Sequence, residues 1–237
     1  ARPGECVAAD STSVNLFKVL NAALSIARAD DAKRTRIVSE RSNFPTDLYI
    51  AEALCRERGL TLKLVEPEEI AGSLTTDVAV LMLTHVNYRS GRMHDMAALT
   101  RAAHAAGALV VWDLAHSAGA VPVDLRGIHL ASSSSGKGLG AYPGLALVFH
   151  AETPAPQPDS LPGYLDLGHW AAHDSVPHTH SSNLVGALAA ALRQGGPARH
   201  ERIRIHATWL RRRLLEQGWC IVAPEEYACA AVLSLAV

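Results

Sequence analysis

The 237 residues carry a formal charge of −1, with 49% hydrophobic and 19% charged side chains, which is the balance of an ordinary globular protein and excludes disordered and fibrous classes. Charge so close to neutral supplies no broad basic field for nucleic acid or an anionic membrane, so any anion must be bound locally. The length allows one large domain or one and a half.

In chain order, Ser11 or Ser13 is placed to cap a helix through Leu16, Val19, Leu20, Ala23 and Leu24. A polar stretch, ARADDAKRTR, follows it. A short strand is expected at 37–39, a helix from Pro45 to about Gly59, and a strand at 60–65. DVAVLML (77–83) and ALVVWD (108–113) read as buried strands around an alanine-rich helix at 95–107 that glycine ends. Residues 132–144 read as a loop before the apolar run Leu145 to Phe149, and the proline-rich AETPAPQPDSLPG as an extended connection. Two helices are expected at about 183–193 and 199–217, the second a solvated one bearing WLRRRLL, and then a strand, a turn and a second strand to the chain end.

This alternation predicts an α/β fold with a mainly parallel sheet covered by helices on both faces and ligands gathered at the strands' carboxyl ends, plus part of a small α+β domain. The expected divisions are a large cofactor-binding domain over 1–150, a connection and the end of that domain over 151–197, and the start of the small domain over 198–237. Four scattered cysteines without a CxxC pair argue against a zinc knuckle or a disulfide scaffold. Together with the lack of a secretion signal or a bilayer-length apolar run, they lead us to expect a reducing, cytoplasmic setting without membrane or nucleic-acid partners.

The chemistry gathers around SSSSGKGLGAYPG, where Lys137 stands among small residues. A P-loop is excluded, because Ala131 and Gly138 occupy the places that need glycine and Ser or Thr. Two readings remain, a surface lysine in a turn or a Schiff-base lysine beside a flat cofactor. A pyridoxal-phosphate site also needs a carboxylate for the pyridine nitrogen, donors for the phosphate and a ring against the cofactor face. Asp113 ends the apolar strand ALVVW, where a buried carboxylate calls for a facing cation, with helix capping as its alternative role; His116 lies three residues on. DSTSVN (10–15) offers hydroxyls and free amides at a helix start, for capping or for a phosphate. Tyr88 and Arg89 fall at a strand's carboxyl end, as substrate contacts or as ordinary loop polarity. His173, His178 and His180 lack the spacing of a metal site, and no metal is expected; His178 and His180 are read as neighbours of a threonine loop.

The segments DSTSVNLFKVL, NFPTDLYIAE, LVEPEEI, LTHVNYRSGRMHDMAAL and VVWDLAHSAGAVPVDL resemble bacterial kynureninase, a pyridoxal-phosphate enzyme of the class V aminotransferase superfamily, whose large domain has the aspartate-aminotransferase fold. The resemblance implies that Thr12 and Ser13 contact the cofactor phosphate, that Phe44 stacks on the pyridine ring and that Asp47 closes the same motif. It further implies that Asp113 pairs with the ring nitrogen, that His116 lies beside the cofactor and that Lys137 carries the Schiff base. A kynureninase has tyrosine directly before this lysine, then Asn-Gly-Gly and later Trp-Gly-His; this chain has Gly136 and neither stretch. SSSSGKGLGAYPGLALVFH, YLDLGHW and HTHSSNLVGALAAAL instead resemble the 2-aminoethylphosphonate aminotransferase branch, in which Thr179 matches a threonine reaching the phosphate of a neighbouring subunit.

The expected activity is therefore a hydrolase cleaving the Cβ–Cγ bond of kynurenine to anthranilate and alanine, with a class V aminotransferase and an inactive fragment or binding scaffold as alternatives. A small amino acid or amine substrate and a homodimer are implied as partners. Against the family pattern, the chain begins almost at the phosphate loop and ends inside the small domain, so weak activity is expected of it.

Overall fold

A computed structural model of the protein describes residues 4–151, 161–173 and 179–236. The strands are β1 (Cys6–Ala9), β2 (Arg36–Glu40), β3 (Thr61–Val65), β4 (Val78–Thr84), β5 (Leu109–Asp113), β6 (Leu130–Ser134) and β7 (Ala146–His150). Interleaved with them run helices α1 (Thr12–Asp30), α2 (Pro45–Arg58) and α3 (Met96–Ala105), followed by α4 (Leu167–Ala172), α5 (Ser182–Arg193) and α6 (Pro197–Glu216). One sheet holds the strands in the order β1-β7-β6-β5-β4-β2-β3, parallel from β3 through β6, with β7 antiparallel to both its neighbours. This is the expected α/β architecture.

All seven residues of β4 are buried, and their alternation divides the interior. Val80 and Met82 join Val111, α1 and α2 on one face, while Leu81 and Leu83 join Val110, Trp112 and α3 on the other. Capping sets the helix starts that matter for function. Ser11 accepts the Val14 N–H at 3.3 Å to open α1, and Pro45 stands in the first turn of α2, where its missing donor costs nothing.

Strands β1 and β6 were not expected. The serines of LASSS read as loop, yet Ser132 and Ser133 lie buried in β6, where each hydroxyl reaches a backbone carbonyl, of Thr12 at 3.5 Å and Leu114 at 3.3 Å. The two expected tail strands also differ: two extended pieces meet at a single antiparallel bridge, Ile221 to Leu235, around a 3-10 turn at Glu225–Tyr227. Pro224 cannot donate to a ladder, and the intervening segment bonds elsewhere, through Met93 N–H to Tyr227 O and Cys229 N–H to Gly91 O. Helix α6 has no buried residue, and Trp209, Leu210 and Leu215 are exposed on it. The proline-rich stretch over 152–160 and His178 lie outside the described residues.

Candidate active site

Four parallel strands end side by side at one rim of the sheet: β2 at Glu40, β4 at Thr84, β5 at Asp113 and β6 at Ser134. Register places Thr84 beside Asp113, and Asp113 beside Ser132. The starts of α1 and α2 approach this rim, the Ser132 hydroxyl touching the Thr12 carbonyl and the Thr84 hydroxyl lying 3.4 Å from Asp47 Oδ2.

Asp113 is buried and its Oδ1 accepts the Ala115 N–H at 2.7 Å, so the turn-stabilising role open to an aspartate at a strand end is also realised. Burial pushes its carboxyl up to about 6, with Lys137 opposing the shift. Asp47, in the first turn of α2, is pushed up to about 8 by burial and then by the nearby Asp113 charge. Two carboxyls so close in a dry site cannot both ionise at neutral pH, and the pair retains a proton between them.

Lys137 follows β6 on an exposed loop, its Nζ 3.2 Å from His116 Nε2 and 4.9 Å from the centre of the Phe44 ring. His116 Nδ1 faces the Val86 carbonyl at 3.1 Å, so Nδ1 carries the hydrogen and Nε2 accepts from the lysine. Burial and then Lys137 lower the His116 pKa, which keeps the ring neutral. Phe44 is aimed by its neighbours: Asn43 Oδ1 accepts the Phe44 N–H at 2.7 Å, and the Tyr88 ring meets it edge-on at 5.2 Å. Arg89 Nε donates to the Tyr88 hydroxyl at 2.7 Å, so this pair borders the site through Phe44.

Thus Phe44, Asp47, Asp113, His116 and Lys137 converge, and Thr12 and Ser13 open α1 next to them, where first-turn amides lack intrahelical acceptors. Thr179 is exposed ahead of α5, and among the described residues no hydrogen bond joins it to that group. His173 Nδ1 faces the His169 carbonyl at 2.8 Å, and among the described residues no cluster of three or more His, Cys, Asp or Glu side chains is arranged to hold a metal.

Two of the small residues around Lys137 lie against backbone: a Cβ would sit 2.8 Å from Pro143 Cα at Gly136 and 2.4 Å from the Ala118 carbonyl oxygen at Gly138. Arg199 of α6 then fastens the loop, donating to the carbonyls of Leu139 and Gly138 at 2.9 Å each.

Several supporting residues were not singled out in the sequence. Thr84 donates to Asn43 Oδ1, and Asn43 Nδ2 in turn reaches Ser39 Oγ at 3.0 Å. Buried Glu40 binds His94 at 2.7 Å and Asn87 at 2.9 Å, which anchors the loop carrying Val86 and Tyr88. Burial alone would raise the Glu40 pKa, but hydrogen bonds from His94, Ser42 and Asn87 outweigh it and the carboxyl is lowered. Ahead of α1, Asp10 pairs with the buried Lys18 and accepts from the Tyr164 hydroxyl, and the Lys18 ammonium lies 3.6 Å from the Trp170 ring centre. Burying an ammonium costs several kcal/mol unless such partners replace water.

The chain is 60% identical over 129 residues to a kynureninase of Pseudomonas fluorescens, and 53% identical over 130 residues to one of Burkholderia pseudomallei strain K96243. These matches cover 53% and 54% of the chain, which spans 31% of the length of either relative. Among solved structures, an alanine–glyoxylate aminotransferase of Nostoc sp. aligns with 99% of the chain and 66% of its own, at a TM-score of 0.77 and 21% identity. A cysteine desulfurase of Thermococcus onnurineus aligns with 100% of the chain and 64% of its own, at 0.76 and 21%. These two likenesses establish the fold. The family model described as Aminotransferase class-V, a family of pyridoxal-phosphate-dependent enzymes, matches residues 18–161, more than half of the chain. On that match, with the kynureninase likeness beside it, the chain belongs to the class V aminotransferase family.

Proposed function

We propose that the chain is the cofactor-binding core of a kynureninase-like hydrolase, which splits the Cβ–Cγ bond of kynurenine and releases alanine and anthranilate. The observation that supports this reading is the meeting of an accessible amine, an aromatic face and a buried acid (Lys137, Phe44 and Asp113) in a chain that is 60% identical to a kynureninase over 129 residues.

These residues fit pyridoxal phosphate. Asp113 is a desolvated acid that gains from a facing cation, and a protonated pyridine nitrogen is one. Phe44 would cover a face of the ring, Thr12 and Ser13 would take the phosphate at the start of α1, and Lys137 would bond the aldehyde. The cofactor, when bound, supplies an electron sink for the pair left on the substrate's α-carbon.

The chain's own groups do the rest. The Lys137 amine would take the substrate's α-proton, and His116 Nε2 beside it accepts a hydrogen bond that fixes where the amine points. Asp47 retains a proton against Asp113, which spreads one negative charge over two buried carboxyls and keeps Asp113 supplied with a hydrogen bond. We further propose a homodimer in which Thr179 acts from the neighbouring subunit.

A specific observation favours a second reading, an aminotransferase of the 2-aminoethylphosphonate type. The tight contact of Gly136 with Pro143 leaves no space for the tyrosine that precedes the lysine in kynureninases. Incubation with kynurenine, and separately with an amine donor plus pyruvate, distinguishes the two. Anthranilate fluorescence without keto-acid turnover supports the hydrolase, and the reverse outcome replaces it with the transaminase. If the protein takes up the cofactor but turns over neither substrate, it is a binding scaffold.

A further inference from the structure

We propose that Lys18 and Asp10 are positioning residues for the cofactor phosphate: their buried ion pair fixes the turn that presents the first amides of α1 and neutralises an anion lying beside that anion-binding end. The inference deepens the cofactor reading above and rests on it.

Asp10 has φ of 45°, the sole positive φ among the described residues other than glycines. A left-handed aspartate persists only where its surroundings over-determine it, and two side chains, one of them 154 residues away, hold it here, with a third behind the nearer one. Lys18, two turns along α1, meets its Oδ2; the Tyr164 hydroxyl meets its Oδ1; and Trp170 backs the ammonium of Lys18. Lys18 is 1% exposed, so its stem and charge are committed to this contact and not to solvent. Tyr164 adds a second ring, 4.7 Å from the ammonium. The segment after the proline-rich connection is thereby tied to the turn in front of Ser11.

Charge gives the arrangement its sense. The amino end of a helix holds a partial positive charge that attracts an anion. An unpaired carboxylate one residue ahead of Ser11 would draw on the same potential and repel an incoming dianion. With Lys18 on it, Asp10 can set the backbone without that penalty. Lys18 and Asp10 are separate from the aldehyde end of the cofactor, which falls to Lys137, Asp113 and Phe44, and this separation makes the proposal testable.

The test compares binding of pyridoxal phosphate with binding of pyridoxal, which lacks the phosphate, both followed by the visible absorbance of the bound aldehyde. The proteins are wild type, Lys18→Met, Lys18→Met/Asp10→Asn and Tyr164→Phe. In K18M the preference for the phosphorylated aldehyde should fall about tenfold, pyridoxal affinity holding, as befits a charge at a helix end in a part-buried setting. The double variant, which has no stranded carboxylate, should recover part of that preference. Y164F, altered at a half-exposed ring and leaving the Lys18–Asp10 pair in place, should show a smaller loss, roughly two- to threefold or about 0.5 kcal/mol. Equal losses for both aldehydes in K18M, or a double variant no better than the single, would overturn the proposal by reducing the pair to general packing. Should K18M fail to fold, an unchanged preference in Y164F would overturn it instead. Failure of the wild type to bind either aldehyde would strike at the cofactor reading itself.

Discussion

Asp47 and Asp113, from different elements, hold a proton between them in a dry site below Lys137, and this fixes how the apoprotein responds to pH. Both carboxyls have folded-state pKa values above those of the unfolded chain, so the folded form binds more protons. Their contribution to stability is full below about pH 4, the ordinary carboxyl range, and declines as pH rises through about 6 and then about 8. Denaturant midpoints of the apoprotein should therefore fall between pH 4 and pH 8 on account of this pair. Asp47→Asn, which cannot ionise, should flatten that dependence; an unchanged slope would show that the pair does not share a proton.

Lys137 is the group whose removal separates chemistry from folding. It is exposed, and its direct contacts among the described residues are with His116 and Phe44, so Lys137→Ala should change unfolding free energy by no more than about 0.5 kcal/mol. Turnover should drop by at least 10²- to 10⁴-fold, the range for losing a positioned proton-transfer group, and the visible band of the cofactor-loaded protein should vanish. Spectra and thermal melts of the same preparation check both.

Phe44 offers a graded probe of the ring contact. An aromatic pair in suitable geometry contributes about 0.5–1.5 kcal/mol beyond area burial, so Phe44→Leu should weaken pyridoxal and pyridoxal phosphate alike by roughly 2- to 12-fold. Titration with both aldehydes tests this, and a loss confined to the phosphorylated one would contradict a role at the ring.

Arg199 ties α6 to the lysine loop by two hydrogen bonds from a charged donor, each in a class that contributes about 1.5–3 kcal/mol. Arg199→Ala should leave the sheet intact and speed amide hydrogen exchange over residues 136–141. Exchange unchanged there would mean that the two glycine contacts hold the loop unaided.

Much of this was legible in the amino-acid pattern. Val78 to Thr84 and Leu109 to Asp113 are apolar without a break, so their burial and their partnership with α3 followed from composition and length. The position of Lys137 among small residues marked it, and the buried acid at the end of β5 could be named from its flanking valines and tryptophan. Strand β6 was hidden because serine hydroxyls look like loop until a carbonyl is known to be near. Arg199 is 60 residues from the carbonyl it holds, and Glu40 is 54 from His94, so no local period announces either. The tail misled for the opposite reason: its residues suit strands, but Pro224 and the bonds to Gly91 and Met93 claimed the backbone first.

The alternation along β5 has a further consequence. Asp113 and Trp112 project to opposite sides of the sheet, the acid toward α2 and the indole toward Thr100 of α3, whose hydroxyl accepts its N–H at 3.1 Å. Sliding this strand by one position would exchange them, sinking the indole into the candidate site and stranding a carboxylate in an oily layer. The Trp112 anchor on the far side is thus a gauge for the near side, and a substitution at Thr100, which touches nothing in the candidate site, is where the alignment of the acid is most cheaply disturbed.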